Sequence, residues 1–210
     1  MATDTFLRLP REKQERFLRA AWNEFTSCPY ESVSINRIIQ AAQVSRGSFY
    51  QYFSGKHDLF IYLLKNLIDT ASRLFLAQMT VHQDDIFEAI LGMYDMIVWQ
   101  AASPKPDQPQ ARLAQLFRLN PDLEGTQFTE QLDLDIIGQQ TRELLERQGC
   151  RVADHEVQPV LHLILSIGFT NLVAAMRCPK KQDVFRRQML TQLEILRRGL
   201  TPDADQASHP

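Results

Sequence analysis

Apolar residues recur at intervals of three and four along almost the whole chain, and this spacing restricts it to a helical fold. No stretch alternates apolar and polar residues as a half-buried strand would. Chain punctuation is sparse, with 8 Gly and 10 Pro in 210 residues. The spacing predicts helices over 10–27, 34–41, 45–52, 56–79, 84–102, 110–119, 126–148, 154–177 and 180–199, so the expected class is all-α. Pro10 is expected at the first helical position of the first helix, where its missing N–H costs no bond. Asp84 and Asp154 read as N-caps, and Gly149 and Gly199 as helix stops. Ser103 to Pro109 holds three prolines and reads as a loop. Residues 201–210 read as a flexible polar tail.

Composition narrows the classes further. Apolar residues make up 44% and charged residues 23%, which fits a globular chain and excludes a disordered or fibrous one. The three cysteines, Cys28, Cys150 and Cys178, are far apart and form no CxxC pair, so reduced thiols in a cytoplasmic protein are expected. The N-terminus lacks the basic-then-apolar order of a signal peptide. The longest apolar run, Val160 to Met176, is broken by His162, Ser166, Gly168 and Asn171, and no membrane partner is expected from it. Residues 1–60 hold eight bases and six acids, whereas the rest carries a net negative charge. An anionic partner at the N-terminal end is consistent with that asymmetry, as is a solvated helix face.

Three short helices fill the first 53 residues, a unit too small to stand alone. The helix at 56–79 carries a broad apolar stripe, with Leu59, Leu63, Leu67 and Leu74 in one row and Phe60, Leu64, Ile68, Ala71 and Phe75 in another. The expected organisation is therefore a domain over 1–55, a helical domain of about six helices over 56–200, and the tail.

The segment Ser34–Phe53, SINRIIQAAQVSRGSFYQYF, is the most informative. It reads as a short amphipathic helix, a tight turn at Ala42-Gln43-Val44, and a second short helix capped by Ser45. Ile35, Ile38, Ile39, Ala42, Val44, Phe49 and Phe53 supply an inner side, the pattern of a helix-turn-helix whose second helix enters a major groove. Short helix pairs of this kind also occur in proteins that never meet DNA. On a 100° wheel, Gly47, Ser48, Tyr50 and Gln51 spread over the outer arc, with Arg46 at its start. Arg46 suits a guanine edge and Gln51 an adenine edge. The hydroxyls of Tyr50 and Tyr52 are within reach of phosphates, although Tyr52 reads equally as half-buried packing, and Lys56 adds its charge to the positive start of the next helix. Gly47 costs a helix about 1 kcal/mol relative to alanine, and its lack of a Cβ would let a ligand approach the backbone.

Gly47 to Leu59, GSFYQYFSGKHDL, together with Ala41-Ala42-Gln43-Val44-Ser45, resembles the signature of the TetR (tetracycline-repressor-like) family of bacterial transcriptional regulators. The resemblance spans about Gln14 to Leu63. It implies an all-helical homodimer with an N-terminal DNA-binding domain and a C-terminal ligand-binding and dimerisation domain. By position it implies base or groove contacts from Asn36, Ser45, Arg46, Ser48 and Gln51, and phosphate contacts from Ser34, Tyr50, Tyr52 and Lys56. Gln43 departs from the family's usual turn glycine; were positive φ required there, glutamine would bear about 1–2 kcal/mol of strain.

The helix at 154–177 is apolar nearly all round, which suggests a partner chain over one face or a central position in a monomer. With the helix at 180–199 it is expected to form a two-fold four-helix interface through Leu161, Leu165, Gly168, Leu172, Phe185, Met189 and Leu196. Phe87, Met93, Tyr94, Met96, Trp99 and Phe117 are candidates for lining a pocket for an unidentified apolar or aromatic effector, although core packing explains them as well. No HExxH, GxSxG, GxxxxGK[ST] or GxGxxG occurs, so no enzyme, cofactor or metal site is expected. The expected function is a ligand-responsive repressor binding a palindromic double-stranded operator as a homodimer. Alternatives are a DNA-binding adaptor controlled by a protein partner, and a helical enzyme that keeps the motif as scaffold.

Overall fold

The computed structural model describes residues 2–101, 109–123 and 142–201, and among these no strand occurs. The helices are α1 (Asp4–Leu7), α2 (Arg11–Phe25), α3 (Ile35–Ala42), α4 (Arg46–Tyr52), α5 (Lys56–Val81), α6 (Ile86–Ala101), α7 (Pro109–Leu119), α8 (Val157–Arg177) and α9 (Gln182–Leu200). Tight 3-10 turns occupy Tyr30–Ser32, Asp154–Glu156 and Pro179–Lys181, and residues 142–147 are also helical. The all-α expectation holds. Most of the helix expected over 126–148, most of the 103–109 loop, and residues 202–210 lie outside the described residues. The chain divides into two compact units, one of Met1–Thr70 with Lys105–Leu123, the other of Ala71–Pro104 with Glu124–Pro210. The first division falls inside α5.

Aromatic burial holds the first unit together. Phe6, Phe17, Phe25, Phe49 and Phe53 are fully buried, as are Ile38, Leu59 and Leu63. Phe6 sits 5.0 Å from Phe53 and 5.5 Å from Phe17 between ring centroids, while Phe17 stacks on Phe53 at 5.7 Å. Such pairs contribute about 0.5–1.5 kcal/mol each beyond their buried area. α1 is an addition to the expected helices: Thr3 caps it by accepting from the Phe6 N–H, and Phe6 is the side chain it delivers to the core.

Among the described residues of this unit one charged side chain is buried. Glu24 of α2 is 8% exposed, and its carboxylate accepts from the Arg37 Nε–H at 2.8 and 3.0 Å and from the Ser34 N–H at 2.8 Å. Arg37 also donates to the Ser32 carbonyl at 2.8 Å. Burial by itself would raise the Glu24 pKa, but the Arg37 hydrogen bonds, the Ser34 N–H and the Arg37 charge outweigh it and lower the group below its ordinary 4.5. The pair fastens α2 to the start of α3.

Between α3 and α4 the chain turns through Gln43, which has φ 56° and ψ 46°. Its N–H donates to the Gln40 carbonyl at 3.2 Å and the Val44 N–H to the Ile39 carbonyl at 3.0 Å, so the left-handed residue closes the helix and satisfies its last carbonyls. Arg16 of α2 covers the Ala42 carbonyl at 3.0 Å. A non-glycine residue therefore occupies a backbone region that favours glycine.

In the second unit α6, α8 and α9 pack on one another. Arg186 and Asp95 join α9 to α6 by two parallel bonds of 2.7 Å, and the Tyr94 hydroxyl donates to the Gln182 carbonyl at 3.0 Å. Burial, with Asp95 adding to it, pushes the Tyr94 hydroxyl up to about 12. Asn171, 2% exposed, spans α8 and α9 by donating to Gln192 at 2.8 Å. The stretch Asp154–Arg177 is long and apolar enough to cross a membrane, with mean hydropathy 1.7, yet half of that apolar window is buried inside the protein.

Several expectations need correction. Pro10 is the N-cap of α2 with extended ψ of 137°, and Arg11 is its first helical residue. Asp84 has φ 65° and lies outside α6, which is capped instead by the Asp85 carboxylate accepting from Phe87 and Glu88. Asp154 opens a 3-10 turn that the Glu156 carboxylate stabilises from the Ala153 N–H. Gly149 closes residues 142–147 at φ 76° as expected, but Gly199 lies inside α9. Of the residues expected at a two-fold interface, Leu161, Leu172 and Met189 are buried within the protomer and Gly168 backs onto Ile90. A helix apolar on several faces meets its own neighbours first. Leu165, Phe185 and Leu196 are half-buried.

Two outcomes follow from these local geometries. Glu24→Gln is expected to lower the melting temperature by several degrees at neutral pH, and the gap from wild type to narrow as pH falls below 4.5, where the carboxylate loses its charge. A depressed folded pKa stabilises above the unfolded value and loses that contribution on acidification, so thermal melts across pH check the sign. Gln43→Gly should stabilise by up to about 1 kcal/mol in denaturant titration, because removing the Cβ relieves more strain than the added chain entropy costs.

Candidate nucleic-acid interface

α3 and α4 both begin at serine caps. Ser34 Oγ accepts from the Arg37 N–H at 3.4 Å, and Ser45 Oγ accepts from the Ser48 N–H at 3.0 Å. The Ser45 and Ser48 hydroxyls also lie 2.8 Å apart in a mutual hydrogen bond. The far end of α4 is held by the N-terminal segment: the Thr3 N–H donates to the Tyr52 carbonyl at 3.1 Å and Thr3 Oγ1 to the Gln51 carbonyl at 2.6 Å. α4 is thus pinned at both ends and packed through Phe49.

Its outer arc is open. Ser45, Arg46, Gly47, Tyr50 and Gln51 are exposed and Ser48 is half-buried, while Asn36 is exposed on α3. Arg46 has no hydrogen-bond or ion-pair partner among the described residues, so all its donors face outward. A Cβ at Gly47 would meet only Ser45 Oγ, at 3.8 Å. Nothing within the chain requires glycine there, and the space above the backbone is what its absence of side chain provides. Tyr50 is 49% exposed, its ring standing edge-on to Phe49 at 5.2 Å.

Of the two places open to Tyr52, phosphate contact and packing, it takes the packing one. It is 8% exposed, with its ring 5.6 Å from Phe6 and 5.9 Å from Phe17. Three residues after Phe49 it falls on the inner arc of α4, and the aromatic core takes it. Lys56, at the first position of α5, is half-buried. Its Nζ donates to the Tyr30 carbonyl at 2.9 Å and the Glu31 carbonyl at 3.2 Å, and stands 4.5 Å over the Tyr30 ring. The Asp58 carboxylate covers the same helix start, accepting from the Ser54 N–H at 3.0 Å and its hydroxyl at 3.1 Å.

Thr3, Glu24 and Tyr30 shape this surface and were absent from the sequence candidates. A signal existed for Glu24, a lone carboxylate among Ala20, Ala21, Trp22 and Phe25. None exists for the Tyr30 loop, whose contacts come from distant segments.

The effector candidates divide between the two units. Phe117 is fully buried in the first unit, whereas Phe87, Met93, Tyr94, Met96 and Trp99 belong to the second. Phe87 is buried beneath the Arg197 guanidinium, 5.4 Å from the ring centre, and Tyr94 is bonded in the helix core. Trp99 is 76% exposed. Only Met93 and Met96 are half-buried. Gln78 Nε2 approaches Met96 Sδ at 3.9 Å, and the Gln78 and His82 side chains crowd Gly92 so closely that a Cβ would collide with both. Helical periodicity places residues on a face and does not say which core that face meets.

Residues 17–63 match the family model for bacterial regulatory proteins of the tetR family. Over 63 residues the chain is 36% identical to the HTH-type transcriptional regulator HbdR of Aromatoleum sp. (strain CIB), a match spanning 30% of this chain and 28% of that protein. Among solved structures, SCO4454, a TetR-family transcriptional regulator from Streptomyces coelicolor, shares the fold with TM-score 0.58 and 21% identity over 96% of this chain and 98% of its own. The fatty acid degradation regulator FadR from Bacillus halodurans does so with TM-score 0.57 and 18% identity, over 92% and 98%. Through the segment that builds α2 to the first turns of α5, the chain is therefore similar to bacterial regulatory proteins of the tetR family and to an HTH-type transcriptional regulator.

Proposed function

We propose that the chain is a one-component repressor that acts in the cytoplasm, binds a palindromic operator as a homodimer and is released by a small-molecule effector. The observation that carries this reading is the outer arc of α4, where Arg46, Gly47, Tyr50 and Gln51 are exposed on a helix fixed at both ends. Residues 1–55 form the DNA-binding part, with Asn36, Ser45, Arg46, Ser48 and Gln51 at the groove and Ser34 and Tyr50 at phosphates, joined there by Lys56 from the first position of α5. Residues 56–200 regulate and dimerise. Two-fold symmetry sets two copies of α4 in successive major grooves, about 34–36 Å apart or a multiple of it.

The dimer face proposed here lies beside the one expected from sequence. Leu163, Val184 and Ile195 are 52%, 48% and 57% exposed. Leu163, Ile167, Thr170 and Ala174 share one stripe of α8, and Val184, Gln188, Thr191 and Ile195 share one of α9. A second copy of the chain covers these stripes as a four-helix contact. For the effector, Met96 with Gln78 Nε2 at 3.9 Å from its sulfur offers a thioether beside a polar group, a combination suited to an apolar molecule with one hydrogen-bonding end. The exposure of Trp99 favours a second reading, a protein partner in place of the effector. Thermal shift with apolar aromatic compounds separates the two, since a ligand of the folded state raises the melting temperature.

Selection of duplexes from a random pool tests the core of the reading, with an inverted repeat as the expected product. On that operator Arg46→Ala should cost about 1–3 kcal/mol and relax base choice at one position of each half-site. Lys56→Ala should weaken all sequences evenly and reduce the salt slope by about one. Equal losses with unchanged slopes would refute this division of labour. Ile195→Glu is expected to give a monomer by analytical ultracentrifugation with its helical circular dichroism intact; a dimer of unchanged affinity would rule out the proposed face.

A further inference from the structure

α7 belongs to the same compact unit as the helix-turn-helix, although it lies far downstream in the chain. Ala114, Leu116 and Phe117 are buried, and Arg112 lies over the Trp22 ring at 5.9 Å. Immediately after α7, Asn120 Oδ1 accepts the Tyr30 N–H at 2.8 Å, and Asn120 Nδ2 donates to the Leu116 carbonyl at 2.8 Å. With an N–H on one side and a carbonyl on the other, the amide has a single orientation that satisfies both. The carbonyl of the same Tyr30 then accepts from Lys56, joined by that of Glu31. A continuous path of hydrogen bonds therefore runs from the end of α7 through one loop to the ammonium at the start of α5.

We propose that Asn120 is a positioning residue for DNA binding: by fixing the Tyr30 loop it holds the Lys56 ammonium at the start of α5. Two of the three ammonium hydrogens point at loop carbonyls, and the third remains for a phosphate. The inference rests on the reading above that Lys56 meets the operator backbone. Residues 105–123 continue at both ends into the second unit, so α7 and α5 are the covalent routes by which a change there reaches this loop. A shift of α7 loosens Lys56 and leaves the outer arc of α4 untouched. Affinity then changes while base choice does not.

A double-mutant cycle on the operator selected by the intact protein tests this, with affinity measured across a salt series. Asn120→Ala is expected to weaken binding by about threefold to tenfold and to reduce the salt slope by about one, with unchanged base preference. Asn120→Asp keeps the acceptor for the Tyr30 N–H and should restore most of the affinity. In a Lys56→Ala background, Asn120→Ala should change affinity by less than about twofold, because the group it acts through is gone. A folded Asn120→Ala protein with wild-type affinity and slope overturns the proposal, and so does an equal loss in both backgrounds. Should the alanine variant fail to fold, Asn120→Ser, which draws the acceptor back without adding bulk, is read the same way; a wild-type slope there also overturns it. If the intact protein selects no inverted repeat, the operator reading fails and takes this one with it. If it selects one and the cycle shows no coupling, only the role of Asn120 falls.

Discussion

A buried carboxylate governs the geometry of the helix-turn-helix part. Glu24 is buried, where an unpaired charge would be costly, and so it demands partners of definite position. Those partners are the Arg37 guanidinium and the Ser34 N–H, both at the first turn of α3. Satisfying them leaves one placement of α3 against α2. The left-handed residue Gln43 then sets the direction of the next helix, and Phe49 and Phe53 seat it against Phe17. The exposed arc of α4 is thus the last consequence of a polar contact on the opposite side of the motif.

Polar bonds also determine the packing of the second unit. Dispersion and burial draw α6, α8 and α9 together, but apolar side chains tolerate sliding along a helix axis. The paired bonds of Arg186 and Asp95, with the Asn171 amide on Gln192, specify the register. Gly168 allows Ile90 to approach α8 with methyl carbons 3.4 Å from where a Cβ would stand. A small residue that looks suited to close approach between copies is used for close approach within one.

Much of the helix layout is legible because the 3.6-residue period is written in the apolar positions. The same period puts Phe49 and Phe53 inward and Arg46, Tyr50 and Gln51 outward, and the structure keeps that division. Tyr52 shows where it stops being sufficient, since a tyrosine near the edge of the inner arc goes to whichever side offers a partner. Here Phe6, from a short helix the periodicity did not reveal, supplies it. A cap was legible where the serine sits directly before the helix, at Ser45. Caps were misplaced by one residue or more at Asp84 and Asp154, where neighbouring acids compete for the same free N–H groups.

Sequence alone determined the helical class, the helix-turn-helix segment and its likeness to the tetR family, because each depends on residues close together in the chain. Tertiary structure decided what depends on residues far apart. It drew α7 into the same unit as the helix-turn-helix, turned Lys56 onto the Tyr30 loop, and buried Leu161, Leu172 and Met189 inside the protomer. The physical reason is that periodicity records only how apolar a face is. Which partner covers that face, and which buried polar group finds a hydrogen bond, is settled when distant segments compete for the same space.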